Sequence, residues 1–284
     1  MGSVPTQGAF EVSANTELER IAVAYGALTL KRLPWGPPIH GRLFYLYYHD
    51  GRIVAVKTDN RPVAAREADH DPIDIHTIGG DAVTAVELGP GIVDGLLWAA
   101  VQAGTWGLLD HQAWALALQA GYQLPRWPAS PWLRTGYEQG SGDVDPDNDT
   151  HGTFFQVLPT PRKFARLPFF NMMNLQNVFG ELLLKPHKTV SVRGGYHWLV
   201  LSEAADLWYS GGGAGKENIF GYAGIPSSDR RQLAQVTDFS VTWSPIRQVT
   251  VEAYYGHAFG QGVVAGTFAG TGTDYGFMEV TLRY

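Results

Sequence analysis

Residues 276–284, GFMEVTLRY, end the chain on the pattern of a β-strand. Every second position is apolar: Met278, Val280, Leu282 and Tyr284. The positions between them include Glu279 and Thr281, so the other face is more polar. A period of two is the spacing of a strand with two different faces. Outer-membrane barrels often end on such a strand, with a terminal aromatic residue that the barrel-insertion machinery reads. The pattern therefore predicts a membrane barrel, with outer-membrane lipid and the insertion machinery as partners.

The same alternation recurs in residues 111–124, 189–201, 237–243 and 248–255. In the first of these stretches, Trp114, Leu118 and Tyr122 oppose His111 and Gln119. A lipid-spanning strand needs about 9–11 residues, an apolar outer face and aromatic residues near the two interfaces. These stretches predict an all-β fold, a transmembrane antiparallel β-barrel. A soluble antiparallel sandwich with one buried face per strand would give a similar alternation.

The composition favours the membrane interpretation. Charged residues make up 17% of the chain, below the roughly 25% of soluble domains, and the chain has 9 Trp, 13 Tyr and 34 Gly. Its longest apolar run, residues 96–101 (LLWAAV), is far shorter than the ~18–20 residues of a membrane helix. The chain therefore spans as strands or does not span, because only helices and closed barrels satisfy their backbone in hydrocarbon.

Several functional classes are excluded or disfavoured. The chain has no cysteine, which excludes disulfides and thiolate metal sites. Its net charge is −6 and it has no basic run, so it lacks the electrostatic footprint of nucleic-acid binding. No nucleophile motif of the G-x-S-x-G type is present, and we predict no catalytic residue, no cofactor and no enzymatic activity.

The chain is predicted to be one barrel domain over residues 1–284, with about 11–12 strands. The segments are 16–31, 40–50, 73–88, 91–106, 110–124, 131–139, 177–186, 189–202, 234–245, 247–258 and 272–284. Short connections at 89–91, around Asp110, at 186–188 and at 244–247 are assigned to one end, and long loops to the other. That asymmetry is typical of outer-membrane barrels. Residues 1–15 resemble no secretion signal and the strand count is odd, so we expect the chain to be N-terminally truncated.

Residues 140–170, GSGDVDPDNDTHGTFFQVLPTPRKFARLPFF, followed by NMMN at 171–174, carry a family resemblance. Shorter pieces elsewhere in the chain match the same family, and they stand in the same order: 47–50, 57–62, 71–75, 206–213 and 255–260. Together, the run and these pieces closely resemble the alginate-export family of outer-membrane barrels. The resemblance extends over most of the chain after about residue 40. The resemblance implies about eighteen strands in full-length members, of which this chain lacks the N-terminal third or so. It also implies export of an anionic polysaccharide, or passive passage of another solute.

Basic residues on the polar faces are candidates for lining such a pore, because guanidinium groups grip carboxylates bidentately. The strand candidates are Arg134, Lys185 and Arg193, and the candidates in the long loop are Arg162, Lys163 and Arg166. The acids expected to face inward are Glu138, Glu181, Asp238 and Glu252. These charges would alternatively pair across strands and merely fill a wet interior. The net acidity favours a mixed-charge pore or a different solute.

An acidic row is the one candidate metal site. Asp143, Asp145, Asp147 and Asp149 alternate in DVDPDND, and clustered carboxylates suit calcium. The row lacks the Gly and Glu of an EF-hand loop, and a solvated acidic loop is the alternative.

Three functional hypotheses remain open. The first is a passive outer-membrane conduit for an alginate-like anionic polysaccharide or a related solute, with the long loops as gate. The second is a structural or adhesive barrel whose lumen is plugged by residues 140–174. The third is a soluble all-β carbohydrate-binding module.

Overall fold

The computed structural model describes residues 3–5, 15–17, 20–30, 38–52, 57–157, 166–167, 169–211 and 221–283. The elements, in chain order, are β1 Ser3–Pro5, β2 Asn15–Glu17, β3 Ile21–Leu30, β4 Ile39–Asp50, α1 Val63–Ala68, β5 Ile73–Leu88, β6 Gly91–Trp106, β7 Leu109–Gln123, β8 Trp132–Gly140, β9 Thr150–His151, β10 Leu175–His187, β11 Val190–Leu201, β12 Trp208–Gly211, β13 Tyr222–Ile225, β14 Gln232–Ile246, β15 Val249–Gly260, α2 Gly262–Thr267 and β16 Gly272–Leu282. Neither described helix is long and apolar enough to cross a membrane.

One large antiparallel sheet holds the long strands. Its order is β16-β15-β14-β11-β10-β8-β7-β6-β5-β4-β3, and β9 adds a short parallel pairing to β7. The all-β antiparallel fold class is confirmed. Ten of the eleven predicted segments agree with an observed strand to within two residues at each end. The first segment was wrong at its start, since β3 begins at Ile21, and Tyr284 lies outside the described residues.

The two faces of the sheet differ as the period of two predicts. On β7, Ala113, Ala115 and Ala117 are buried, whereas Trp114 and Leu118, on the alternate positions, are exposed. The same holds on β11, where His197 is buried while Tyr196 and Trp198 are exposed. The face with the buried positions is called the inner face. The outer face carries the exposed apolar and aromatic side chains of neighbouring strands.

The connection between β8 and β10 packs against the inner face. We call residues 141–174 the plug segment, of which 158–165 and 168 lie outside the described residues. Phe154, Phe170 and Met172 of this segment share one buried apolar cluster with wall residues such as Ala113 and Leu199. Small side chains on the inner face of β7 leave the space that these large side chains fill. The loop is therefore a packed part of the interior.

The predicted separation of short and long connections was wrong at one position. The short turn before Asp110, residues 107–108, joins β6 to β7 at the end where the long loops lie. Successive antiparallel strands alternate direction, so this turn must lie opposite the turn at residues 89–90. Gly107 has a φ of +62°, and a Cβ there would lie 2.2 Å from Asp69 Oδ2. The positive φ and the adjacent carboxylate both require glycine at this turn.

Gly104 on β6 offers a test of this geometry. Its φ is +150°, and a Cβ would lie 1.9 Å from the Asp74 carbonyl oxygen, so Gly104→Ala should lower the free energy of unfolding by ~1–3 kcal/mol. The matched control is Gly180→Ala on β10, where a Cβ meets nothing within 4 Å. Urea unfolding in lipid vesicles, followed by tryptophan fluorescence, measures both variants. Equal stability of the two would contradict the described register of β5 and β6.

Candidate functional site

Charged side chains gather on the inner face where β8, β10, β11 and β14 lie side by side. Arg134 is the register partner of Glu181, Glu181 lies opposite Gly195, and Gly195 lies opposite Asp238. A Cβ at Gly195 would lie 2.5 Å from Asp238 Oδ1 and 3.2 Å from Arg193 Nη2. The glycine therefore makes room for the Arg193 side chain between two acidic strands.

Arg193 and Arg134 are the basic centres of this group. Arg193 Nε lies 2.9 Å from Glu181 Oε1, and Arg193 Nη1 lies 2.7 Å from Asp238 Oδ2. Arg134 Nη1 lies 3.5 Å from Glu181 Oε2, and Arg134 Nη2 donates to Gln119 Oε1 at 2.7 Å. Gln119 donates in turn to Glu138 Oε1 at 3.2 Å. The result is one continuous chain of polar contacts across five strands, which we call the luminal charge network.

The plug segment contributes one more arginine to the network. Arg166 forms an ion pair with Glu252 on β15, and its guanidinium lies 5.8 Å from the centre of the Tyr254 ring. The Tyr254 hydroxyl donates to Asp238 Oδ2 at 3.1 Å. The plug is thus joined to the wall by charge as well as by apolar packing.

The network is slightly acidic. It contains Arg134, Arg166 and Arg193 against Glu138, Glu181, Asp238 and Glu252, so its formal charge is −1. It borders a cavity of about 310 Å³, within the size range of small-molecule sites. The lining residues are Gln119, Arg134, Glu138, Arg166, Phe179, Glu181, Leu183 and Arg193. Such a site offers both guanidinium donors and carboxylate acceptors to a polar ligand.

The structure brings together six of the eight predicted pore-lining residues: Arg134, Arg166, Arg193, Glu138, Glu181 and Glu252. Lys185 lies apart from them, exposed near the short turn between β10 and β11. Arg162 and Lys163 lie outside the described residues. The binding role of all eight stays a prediction.

Sequence reasoning missed two members of the network. Gln119 bridges Arg134 and Glu138, and Tyr254 holds Asp238. Both stand at inward positions of the period-two pattern, which was the available signal. Their uncharged side chains gave no reason to single them out.

A buried carboxylate links the plug segment to the loop after β11. Asp206 is 1% exposed, and its oxygens accept from the Asp143 backbone N–H at 2.9 Å and from the Thr153 hydroxyl at 2.6 Å. The Tyr209 hydroxyl also donates to it at 2.6 Å. Burial raises the pKa of Asp206 to about 6, and these hydrogen bonds hold it from rising further.

A second buried cluster fixes the loop between β4 and β5. Asp69 Oδ2 lies 3.0 Å from Arg61 Nη2, and Asp69 Oδ1 lies 3.1 Å from Lys57 Nζ. Arg61 also binds Asp59, which accepts from the Trp106 indole N–H at 2.9 Å. Burial pushes the pKa of Asp69 up, but hydrogen bonds from the Leu108 N–H, Lys57 and Arg61 outweigh it and hold the pKa below its usual range. These contacts close the inner face at the long-loop end.

The acidic row of the plug segment is engaged with its own backbone. Asp143 Oδ1 accepts from the Asp145 N–H at 3.2 Å, and Asp145 Oδ1 accepts from the Asp147 N–H at 3.1 Å. Asp143 is buried, whereas Asp147 and Asp149 are exposed. Within the described ranges, no group of three or more acidic or histidine side chains is arranged to hold a metal ion. Calcium binding by this row stays a prediction.

Comparison with known proteins shows which family the chain belongs to. The family model described as alginate export matches residues 49–274, which is most of the chain and includes every residue of the luminal charge network. The chain belongs to the alginate export family. No curated protein matches it. Among solved structures, the chain is similar to one described as a NanC porin, with a TM-score of 0.40 and 7% identity over 94% of this chain and 96% of that chain.

Membership of this family places the protein in the outer membrane, as a channel of the polysaccharide-export class. The exposed apolar outer face of the sheet therefore faces lipid, and the inner face lines the lumen. This localisation excludes the soluble carbohydrate-binding module among the three hypotheses.

Asp206 predicts a pH dependence of folding stability. An unfolded aspartate has a pKa near 4, so between pH ~4 and ~6 the folded protein binds more protons than the unfolded chain. The contribution of Asp206 to the unfolding free energy should therefore fall as pH rises through this window, by at most ~1.4 kcal/mol per pH unit.

The measurement is the difference in unfolding free energy between the wild type and Asp206→Asn from pH 4 to 7. This difference should slope with pH, while the same difference for the exposed Asp147→Asn control should be flat. A flat difference for Asp206→Asn would show that the carboxylate titrates normally.

Proposed function

We propose that the protein is a passive conduit for an alginate-like anionic polysaccharide or a related anionic solute. The luminal charge network is the observation that carries this proposal. Arg134, Arg166 and Arg193 border one cavity in the lumen, and guanidinium groups bind carboxylates in a planar, bidentate geometry. A linear polyuronate presents one carboxylate per sugar to such a site.

The mechanism is carboxylate exchange. Arg193 already binds Glu181 and Asp238, and Arg134 already binds Glu181, so a polymer carboxylate replaces an internal partner instead of meeting a bare charge. Exchange keeps each guanidinium group paired, so it avoids the ~3–5 kcal/mol that breaking a buried ion pair outright would cost. Weak binding at successive sites is what conduction requires, because the solute must also leave.

The plug segment is assigned the role of gate. It carries Arg166, whose partner Glu252 belongs to the wall. A polymer carboxylate that takes Arg166 from Glu252 removes one charged contact between plug and wall. The buried aromatic side chains of the plug segment and its hydrogen bonds to Asp206 would continue to hold the plug in place.

Removing Glu181 should strengthen anion passage. Glu181→Gln leaves Arg134 and Arg193 with fewer internal partners, so the anion-to-cation permeability ratio should rise by up to about fivefold, the equivalent of ~1 kcal/mol. Arg193→Gln should change the ratio in the opposite direction. Reversal potentials of the purified protein in planar bilayers under a KCl gradient measure the ratio.

The control for these variants is Lys188→Gln in the turn between β10 and β11, which removes one positive charge outside the network. Its permeability ratio should stay near the wild-type value. A cation preference that persists after neutralising Glu138, Glu181 and Glu252 together would refute the anionic solute.

A second candidate function is a structural or adhesive platform with a closed lumen. The packing of the plug segment favours it, because Phe154, Phe155 and Met173 are buried in the interior. On this hypothesis the plug never leaves, and the long loops act only at the cell surface.

Weakening the plug distinguishes the two functions. Phe154→Ala with Phe155→Ala removes two buried rings, each change costing about 3–5 kcal/mol of packing, so a gated conduit should open more often in planar bilayers. Val144→Ala, an exposed position of the same segment, is the control and should leave the opening frequency unchanged. Replacing residues 152–170 by a Gly/Ser linker should raise conductance further. Absence of conductance even then would support the platform.

Two further expectations stay predictions. One is that the chain forms a single barrel domain. The other is that the insertion machinery reads the last strand, whose terminal Tyr284 lies outside the described residues.

A further inference from the structure

An aromatic cavity lies between the plug segment and the loop that joins β15 to β16. Four rings surround it: Phe169 and Phe170 of the plug segment, Trp208 of β12 and Phe268 after α2. Phe170 stacks on Trp208 with ring centroids 6.2 Å apart, and Phe268 meets Trp208 edge-on at 6.5 Å. The cavity is partly open and has a volume of about 420 Å³, within the range of small-molecule pockets.

The floor of the cavity is the inner face of the wall. Ala234 on β14 and Ala258 on β15 line it, and both are small and buried. On the same two strands, Asp238 and Tyr254 of the luminal charge network stand four residues away. At about 3.4 Å per residue, this separation is roughly 14 Å along the lumen. A linear polymer lying along β14 and β15 would therefore reach both places.

One polar group in the cavity lacks a partner. Trp208 is 9% exposed, and its indole Nε1 is shielded from solvent. This nitrogen forms no hydrogen bond within the part of the chain that the structure describes. A buried N–H donor without an acceptor is costly, and tryptophans that are buried normally find one. None of the described residues that line the cavity carries a charge. An oxygen acceptor on a ligand held by the apolar surface of the cavity would satisfy this donor once the indole turns towards the cavity.

We propose that this aromatic cavity is a subsite for one pyranose ring of the exported polysaccharide. The C–H groups on one face of a pyranose are weakly positive and lie against the negative face of an aromatic ring, while its oxygens accept from the indole N–H. The subsite recognises the shape of the sugar ring, and the luminal charge network binds the carboxylate. This inference rests on the proposed function, because it takes the translocated polymer as the ligand.

The two sites predict different ligand preferences. The described lining of the aromatic cavity has no cationic side chain to bind a carboxylate. The cavity should therefore bind a neutral β-1,4-linked glucan pentamer and a β-1,4-linked uronate pentamer equally tightly. Arg193→Gln should weaken only the uronate. Loss of uronate binding alone would count against the anionic conduit, whereas loss of glucan binding would count against the ring subsite.

The experiment is calorimetric titration of the purified full chain in detergent with each pentamer, which requires no conductance. Phe268→Leu removes a ring and keeps an apolar side chain, and it should weaken both pentamers by about 2- to 10-fold. Trp208→Phe keeps a ring and removes the N–H, and a similar loss is expected. The matched controls, Phe239→Leu and Trp243→Phe, lie on the exposed outer face and should leave both affinities unchanged.

Heat-modifiability on gels establishes that each variant is folded before it is titrated. The proposal is overturned if the neutral pentamer does not bind, or if it binds with equal affinity to the Phe268→Leu and Trp208→Phe variants. It is also overturned if decanoate binds and the glucan does not, since the cavity would then be an acyl-chain pocket.

Discussion

Inside hydrocarbon, a backbone N–H or C=O group has no water to bond, so every such group must find a partner within the protein. Among the described strands of the large sheet, the nine between β16 and β3 are paired on both sides and satisfy this requirement along their paired lengths. Pairing in a sheet also forces successive side chains onto opposite faces. The part of the outer face that meets hydrocarbon must then be apolar, and the luminal charge network lies on the inner face. The position of the arginines follows from this constraint before any ligand is considered.

The inner face has two zones along the same strands, one apolar and one charged. Near the long-loop end, alanines on β7 and leucines on β11 form a surface against which the phenylalanines of the plug segment pack. Towards the short turns, the inner face becomes charged, and Gly195 provides the space in which Arg193 reaches Glu181 and Asp238. Arg166 belongs to the plug segment and yet pairs with the wall, so it connects the apolar and the charged zones. A change at the charge network therefore reaches the plug segment through the contacts of Arg166 with Glu252 and Tyr254.

The sequence was sufficient for the strands because the period of two is a local property that each strand displays by itself. It placed Arg134, Glu181 and Arg193 on the inner face for the same reason. It was insufficient where the structure depends on distant contacts. The turn at Gly107 has no room for a side chain because Asp69, far away in sequence, packs on it. Asp206 is buried because two loops meet there, and the Trp208 cavity needs residues from four separate segments. No local pattern encodes such meetings.

The acidic balance of the luminal charge network has a consequence for selectivity. A small anion gains only one exchange with a guanidinium group and is repelled by four nearby carboxylates. A polymer makes several weak contacts at once, and after the first contact each further one is effectively intramolecular, so weak sites add up to substantial binding. Stacking of uncharged ring faces contributes without attracting small ions. A lumen that is nearly neutral and holds its arginines in exchangeable pairs therefore favours a chain of sugars over the salt around it.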